Sequence, residues 1–284
     1  MAELTYLNGK ILPTSEAMVP IEDRGYQFGD AVYEYVASYN GRLFCVEAHL
    51  ARLQRSMEEL DFPAVSLENV RNALMSLFKQ AQLPRAGVYI QISRGVASRD
   101  HAYTNTTEVQ VVMTVVELPE THPLADKGAS VITIEDFRWG RCDIKTVQLL
   151  PNTMGKQKAM DAGVYDALFV AEDQTVREAT SSNVFIVKNG EVATHPLTRR
   201  ILPGITRMVI LSACKTLGVP VQERLYKTDE LFGADEVFLT GTTTEVLPIV
   251  NIDNQTIGQG IPGPITRQFY KELRRRALDL EKDE

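Results

Sequence analysis

Three Asn-Gly dipeptides, Asn8-Gly9, Asn40-Gly41 and Asn189-Gly190, interrupt stretches rich in apolar and β-branched residues. Asn and Gly both tolerate the positive φ angles of tight turns, so each pair predicts two strands joined as a hairpin. The first hairpin covers residues 4–11, the second joins 33–39 to 42–46, and the third follows the strand 184–187. Elsewhere the apolar period lengthens. Leu50, Leu53, Met57 and Leu60 recur at helical spacing, as do Val70, Leu74, Leu77 and Phe78. Val88, Ile90 and Ile92 alternate as a strand, and 109–116, 130–134 and 236–239 read as further strands. Helices are expected around 154–162 and from beyond Gly204 to about Leu217. Strands dominate both halves with helices interspersed, which predicts mixed α/β (α+β) architecture in two domains. The segment from Leu118-Pro119 to Gly128 is poor in apolar residues and reads as a linker. The expected division is an N-terminal domain at 1–118, a linker at 119–127 and a C-terminal domain at 128–284.

Charge narrows the function classes. The chain has 284 residues, a net charge of −7 and no extended basic tract. A nucleic-acid surface needs clustered Lys and Arg, so none is expected. The triplet Arg274-Arg275-Arg276 sits beside acidic residues and reads as a solvated helix face. The three cysteines are far apart and form no CxxC pair, so neither a disulfide framework nor a zinc site is expected. No segment reads as a signal peptide or a bilayer span. A cytoplasmic protein with no membrane partner and no metal is the expectation.

Candidate chemistry begins at Arg141-Cys142-Asp143-Ile144-Lys145-Thr146. If this stretch is extended, Arg141, Asp143 and Lys145 share one face. A lysine desolvated at a strand end has a lowered pKa and suits a Schiff-base amine, although most lysines are simply solvated. Glu178, in Arg177-Glu178-Ala179-Thr180-Ser181-Ser182-Asn183, is a carboxylate among small polar residues that could pair with a cationic ring nitrogen. Leu202-Pro203-Gly204-Ile205-Thr206 opens a helix whose free N–H groups could hold an anion. Thr240-Gly241-Thr242-Thr243-Thr244 offers hydroxyls and a close-approaching glycine. Each of the three also fits an ordinary turn. Together they supply an amine, a carboxylate and two phosphate cradles, which is what pyridoxal 5'-phosphate requires. Arg52, beside Leu50 and Leu53, could add a forked phosphate contact, or be a plain surface arginine.

At this point the sequence resembles the class IV (fold type IV) pyridoxal-phosphate aminotransferases. The resemblance is carried by EDRGYQFGDAVYE (22–34), HLARL (49–53), RCDIKT, REATSSNVF, ILPGITR (201–207) and TGTTTE (240–245), in that order over almost the whole chain. It implies two α/β domains with the cofactor between them, in a homodimer whose partner chain helps close each site. It implies Lys145 as the cofactor-bound amine and proton shuttle, and Glu178 as the partner of the pyridine nitrogen. Arg52, Ile205, Thr206, Gly241 and Thr242 would bind the phosphate.

One cationic stretch, Ser93-Arg94-Gly95-Val96-Ala97-Ser98-Arg99-Asp100-His101-Ala102-Tyr103, then acquires a meaning. It is similar to the loop by which D-amino acid transaminases hold the substrate carboxylate, with an arginine and a histidine two residues apart from the neighbouring subunit. Here these would be Arg99 and His101, joined by Tyr33. Arg94 matches no such role and reads as a structural salt bridge. The implied reaction is exchange of an amino group between a D-amino acid and a 2-oxo acid, with (R)-primary amines as a possible side activity. A branched-chain L-amino acid aminotransferase and an aminodeoxychorismate-type lyase are the alternatives.

Overall fold

Asn8, Asn40 and Asn189 have φ of 46°, 47° and 51°, each followed by a glycine at positive φ, and each turn closes a hairpin. A computed structural model describes residues 3–103 and 108–279. It divides the chain into two units, Met1–Glu120 with Ile144–Gln148, and Thr121–Asp143 with Leu149–Glu284. Lys145, which the expected boundaries place in the second domain, thus groups with the first.

The first unit is a six-stranded antiparallel sheet with helices on it. β1 (Leu4–Leu7), β2 (Lys10–Pro13), β3 (Ala31–Tyr39), β4 (Arg42–Leu43), β5 (Ala86–Ser93) and β6 (Gln110–Glu117) lie in the order β2-β1-β6-β5-β3-β4. The short helix α1 (Arg24–Phe28) is capped by Asp23, whose side chain accepts from the N–H groups of Gly25 and Tyr26. α2 (Val46–Glu58) and α3 (Leu67–Ala81) bury the apolar stripes read from the sequence. Leu50, Leu53, Leu74 and Leu77 meet Val32, Val88, Ile90 and Ile92 in one core. Such a seam removes each leucine from water at a gain of about 1.5–3 kcal/mol.

The second unit is a sheet that closes on itself. Its strands are β7 (Ala129–Glu135), β8 (Asp166–Val170), β9 (Val176–Ala179), β10 (Asn183–Lys188), β11 (Glu191–Thr194), β12 (Val221–Glu223), β13 (Glu236–Gly241), β14 (Glu245–Ile252) and β15 (Gln255–Thr256). The order β12-β11-β10-β13-β14-β7-β8-β9 returns to β10 through a single register pair, Asn183↔Glu178. α4 (Leu150–Asp161) precedes β8, which pairs parallel with β7, while α5 (Ile205–Leu217), α6 (Thr228–Phe232) and α7 (Pro264–Leu278) complete the unit. Val131, Leu168, Val184, Leu239, Leu247 and Ile249 belong to its core.

Two sequence expectations change. Residues 141–146 are not a strand: 142–144 form a turn, and only Thr146 bridges, to Val32. Arg141 and Asp143 still meet, as an ion pair at 3.0 Å. The helix expected near 154–162 begins earlier, at Leu150, because Pro151 fits its first turn, where no N–H partner is lost. Among the described residues, no helix is long and apolar enough to cross a membrane.

Candidate active site

Lys145 is positioned by main-chain bonds to β3. Its carbonyl accepts from the Tyr33 N–H at 2.9 Å, the Val147 N–H reaches the Ala31 carbonyl, and its own N–H donates to Ser56 Oγ at 3.2 Å. The half-buried amine lies 4.2 Å from the centroid of the Tyr33 ring and has no carboxylate partner among the described residues. An amine over an aromatic face makes a favourable charge contact with the ring. Lys145 and Tyr33 are therefore brought together, as the family pattern implies.

The strand behind Tyr33 carries a charge that the sequence reading missed. Glu34 is fully buried, and Arg52 grips it with a fork, Nε to Oε1 at 2.7 Å and Nη2 to Oε2 at 2.8 Å. His49 Nδ1 donates to the same Oε2 at 2.7 Å. Burial works against the Glu34 charge, yet Arg52 and His49 hold its pKa down at about 2. Burial in turn lowers the pKa of His49. The fork that Arg52 was expected to offer a phosphate is thus engaged by Glu34. A signal existed: alternation sets Glu34 on the face of Val32 and Val36, where a carboxylate persists only with a cation, and His49 and Arg52 share one face of the next helix.

In the second unit, Glu178 is the hub. Arg138 Nη1 and the Leu202 N–H donate to its Oε1, and Asn183 Nδ2 and the Leu202 N–H to its Oε2. Burial pushes the Glu178 pKa up, while Arg138 and Leu202 pull it back. Burial also works against Arg138, but Glu178 and Asp136 more than offset it and its pKa ends raised. Burial outweighs these partners at Glu178, and the two groups meet through a charge-assisted hydrogen bond. Arg138 and Asn183 were not singled out from sequence. Asn183 also donates to the Leu202 carbonyl at 2.9 Å, fixing the approach to α5.

The two stretches read as possible anion cradles lie at the start of α5 and at the end of β13. α5 starts at Gly204 with no side-chain cap, so the first-turn N–H groups of Ile205 and Thr206 have no capping partner. A Cβ on Gly204 would lie 2.1 Å from Asn183 Oδ1, so glycine is required there. At Gly241 a Cβ would approach Ser182 Oγ to 3.0 Å, and Ser182 Oγ itself pairs with Thr244 Oγ1 at 3.0 Å. Thr240 Oγ1 is buried with no partner among the described residues. In the second unit, the buried Glu178 carboxylate and the uncapped start of α5 are groups of the kind pyridoxal phosphate would need, and in the first unit Lys145 is an amine with no carboxylate partner among the described residues.

Arg99 and His101 are both exposed and flank one ring: Phe28 lies 5.1 Å from the Arg99 guanidinium and 5.7 Å from the His101 ring. Arg94 is the salt bridge expected of it, buried with Nε 2.8 Å from Asp30.

Residues 31–252 match the family model for amino-transferase class IV. The chain belongs to the class IV aminotransferases. It is accordingly a pyridoxal-phosphate enzyme with the mixed α/β fold of that class. This aminotransferase is 43% identical to a D-alanine aminotransferase of Bacillus licheniformis over 95% of its length and 96% of that protein. It is 39% identical to a D-alanine aminotransferase of Listeria monocytogenes over 97% and 98%. Among solved structures, its fold matches the branched-chain amino acid aminotransferase of Escherichia coli with a TM-score of 0.92 at 22% identity, covering 100% and 97% of the two chains. The branched-chain aminotransferase of Thermoproteus uzoniensis, solved with norvaline, matches with a TM-score of 0.89 at 24% identity, covering 99% and 97%.

Proposed function

We propose that this aminotransferase moves the amino group of a D-amino acid onto a 2-oxo acid in two half-reactions. D-alanine or D-glutamate would serve as donors and pyruvate or 2-oxoglutarate as acceptors. The observation that carries the reading is the pair Arg99 and His101, both exposed and gathered on the Phe28 ring. An α-carboxylate accepts a charged fork from Arg and single donors from His and Tyr33, and this set fixes the substrate by its carboxylate. The full-length likeness to D-alanine aminotransferases supports it.

When bound, the cofactor supplies an electron sink for the substrate α-carbon. In this reading the Lys145 amine would hold the cofactor and would carry the proton at the substrate α-carbon. Glu178 would pair with the ring nitrogen and favour its protonated form. The N–H groups of Ile205 and Thr206, the hydroxyls of Thr206 and Thr242, and the backbone at Gly241 would hold the phosphate, and Arg52, its fork taken by Glu34, would add only its charge. The working unit is a homodimer in the cytoplasm, each chain lending Arg99 and His101 to its partner's site. (R)-primary amines are a side activity.

The test is turnover of D-alanine with 2-oxoglutarate, followed by pyruvate release. Conversion of L-leucine with none of D-alanine would overturn the reading in favour of a branched-chain enzyme. Pyruvate formed without any 2-oxo acid, from an aminodeoxychorismate-type substrate, would instead mark a lyase.

A further inference from the structure

The loop that carries Arg99 and His101 is held by a residue with no assigned role. Arg24, the first residue of α1, is only 4% exposed. Its Nη1 donates to the carbonyls of Asp100 at 2.7 Å and Ala102 at 3.3 Å, and its Nη2 to that of His101 at 3.4 Å. Three successive carbonyls of the loop therefore converge on one guanidinium. Its Nε is paired with Asp30 Oδ2 at 2.9 Å, and the same oxygen takes Arg94 Nε at 2.8 Å.

Two buried cations share one carboxylate oxygen here. Backbone carbonyls add to their solvation: Asp100, His101 and Ala102 for Arg24, Leu60 and Asp61 for Arg94. A buried cation stripped of such partners is costly, so the loop is drawn to a defined place. Main-chain bonds tie down its near end, Arg24 N–H to the Gly95 carbonyl at 2.9 Å and Ala97 N–H to the Glu22 carbonyl at 3.3 Å. The side chain of Asp100 is turned to its own loop, accepting from the Ala102 N–H at 3.0 Å. This takes the intervening anion away from the side chains of Arg99 and His101 on either side. Arg24 also lies 4.7 Å from the Phe28 ring that Arg99 and His101 flank.

We propose that Arg24 is a positioning residue for substrate binding: anchored on Asp30, it fixes the backbone from Asp100 to Ala102 so that Arg99 and His101 present their donors to one carboxylate. The inference rests on the reading of Arg99 and His101 as carboxylate binders. Long exposed side chains lose rotamer freedom when they grip a ligand, and a fixed backbone reduces what remains to be ordered. Lysine at position 24 keeps the charge opposite Asp30 but cannot reach three carbonyls as a planar fork does.

The experiment measures steady-state kinetics of the holoenzyme with D-alanine for Arg24→Lys, Arg99→Ala and the double variant, with cofactor binding followed by absorbance. Arg24→Lys is expected to raise the KM for D-alanine about tenfold, with kcat within about threefold and cofactor binding unchanged. In the Arg99→Ala background it should add less than it does alone, because only the part of its effect that acts through His101 remains. An unchanged KM in Arg24→Lys beside a raised KM in Arg99→Ala overturns the proposal and leaves the carboxylate reading standing. An unchanged KM in Arg99→Ala overturns both. A fall in kcat with loss of cofactor also overturns it, since that marks a general structural role. Should Arg24→Lys not fold, Arg24→Gln, which leaves Asp30 paired with Arg94, carries the same test. Failure of both to fold would show that Arg24 serves the fold and not the loop.

Discussion

A buried titratable side chain leaves its mark on the pH dependence of stability, and two such residues here titrate in adjoining windows. His195 donates from Nδ1 to the Pro196 carbonyl and accepts from Arg177 at Nε2, so its neutral form is the one that fits. Burial lowers its pKa to about 4 from 6.5. The unfolded chain takes up a proton that the fold refuses, and stability therefore falls as pH drops from about 6.5 to about 4. Glu34 behaves as a depressed carboxylate. Its contribution is fully present above pH 4.5 and is lost as pH falls toward about 2, a change worth about 3 kcal/mol. The thermal midpoint of the protein should thus decline in two steps on acidification. His195→Gln should shrink the upper step, leaving the share of His49, whose pKa burial also lowers from 6.5. Glu34→Gln should remove the lower one and also destabilise at neutral pH by about 3–5 kcal/mol, because Arg52 is left buried without its partner. Thermal melts from pH 7 to pH 2.5 decide this; an upper step left unchanged by His195→Gln would assign it to another group.

At the scale of elements, the start of α5 and the closing pair of the second sheet are one structure. Asn183 pairs with Glu178 across β10 and β9, donates to its carboxylate, and holds the Leu202 carbonyl just ahead of the helix. Gly204→Ala would push a methyl into Asn183 Oδ1, which lies 2.1 Å from where that Cβ must sit. Displacing Asn183 disturbs both the carboxylate and the helix start, so the variant should bind cofactor at least about tenfold more weakly while its melting point falls modestly. Titration of the apo-protein with pyridoxal phosphate measures this, and wild-type affinity would separate the helix start from the cofactor. The helices α2, α3 and α5 were legible in the sequence because each buries a single apolar stripe, and the Asn-Gly hairpins because their turns demand positive φ. The turn at 142–144 was not legible, since alternating polar and apolar residues suit a strand as well as a turn fixed by the Arg141–Asp143 pair. Sheet closure was also hidden: it rests on one residue pair between neighbouring strands, and no periodicity records it. Lys145 and Glu178 were readable from their motifs, whereas Arg138, from a stretch with no such motif, became visible only through its contact with Glu178.

For the whole molecule, fold and substrate are specified by different parts of the chain. The branched-chain aminotransferase of Escherichia coli shares the fold at a TM-score of 0.92 with 22% identity, so the sheets and their cores tolerate wide substitution. Residues that would sort one substrate from another lie on connections such as 98–103, where a side chain can change without disturbing a core. A reading in which Arg99 acts on the partner's site then makes a prediction that no single subunit can satisfy. Lys145→Ala should be inactive, and Arg99→Ala should turn over D-alanine poorly at low concentration. In a mixed dimer, the chain that keeps Lys145 receives an intact Arg99 from its partner, and one site is whole. Random re-association of equal amounts should therefore restore about a quarter of wild-type activity at limiting D-alanine, since half of the dimers are mixed and each has one competent site. If Arg99 served its own chain, the site retaining Lys145 would still lack it, and mixing would restore nothing. Activity measured before and after subunit exchange separates the two, with each variant alone as the baseline.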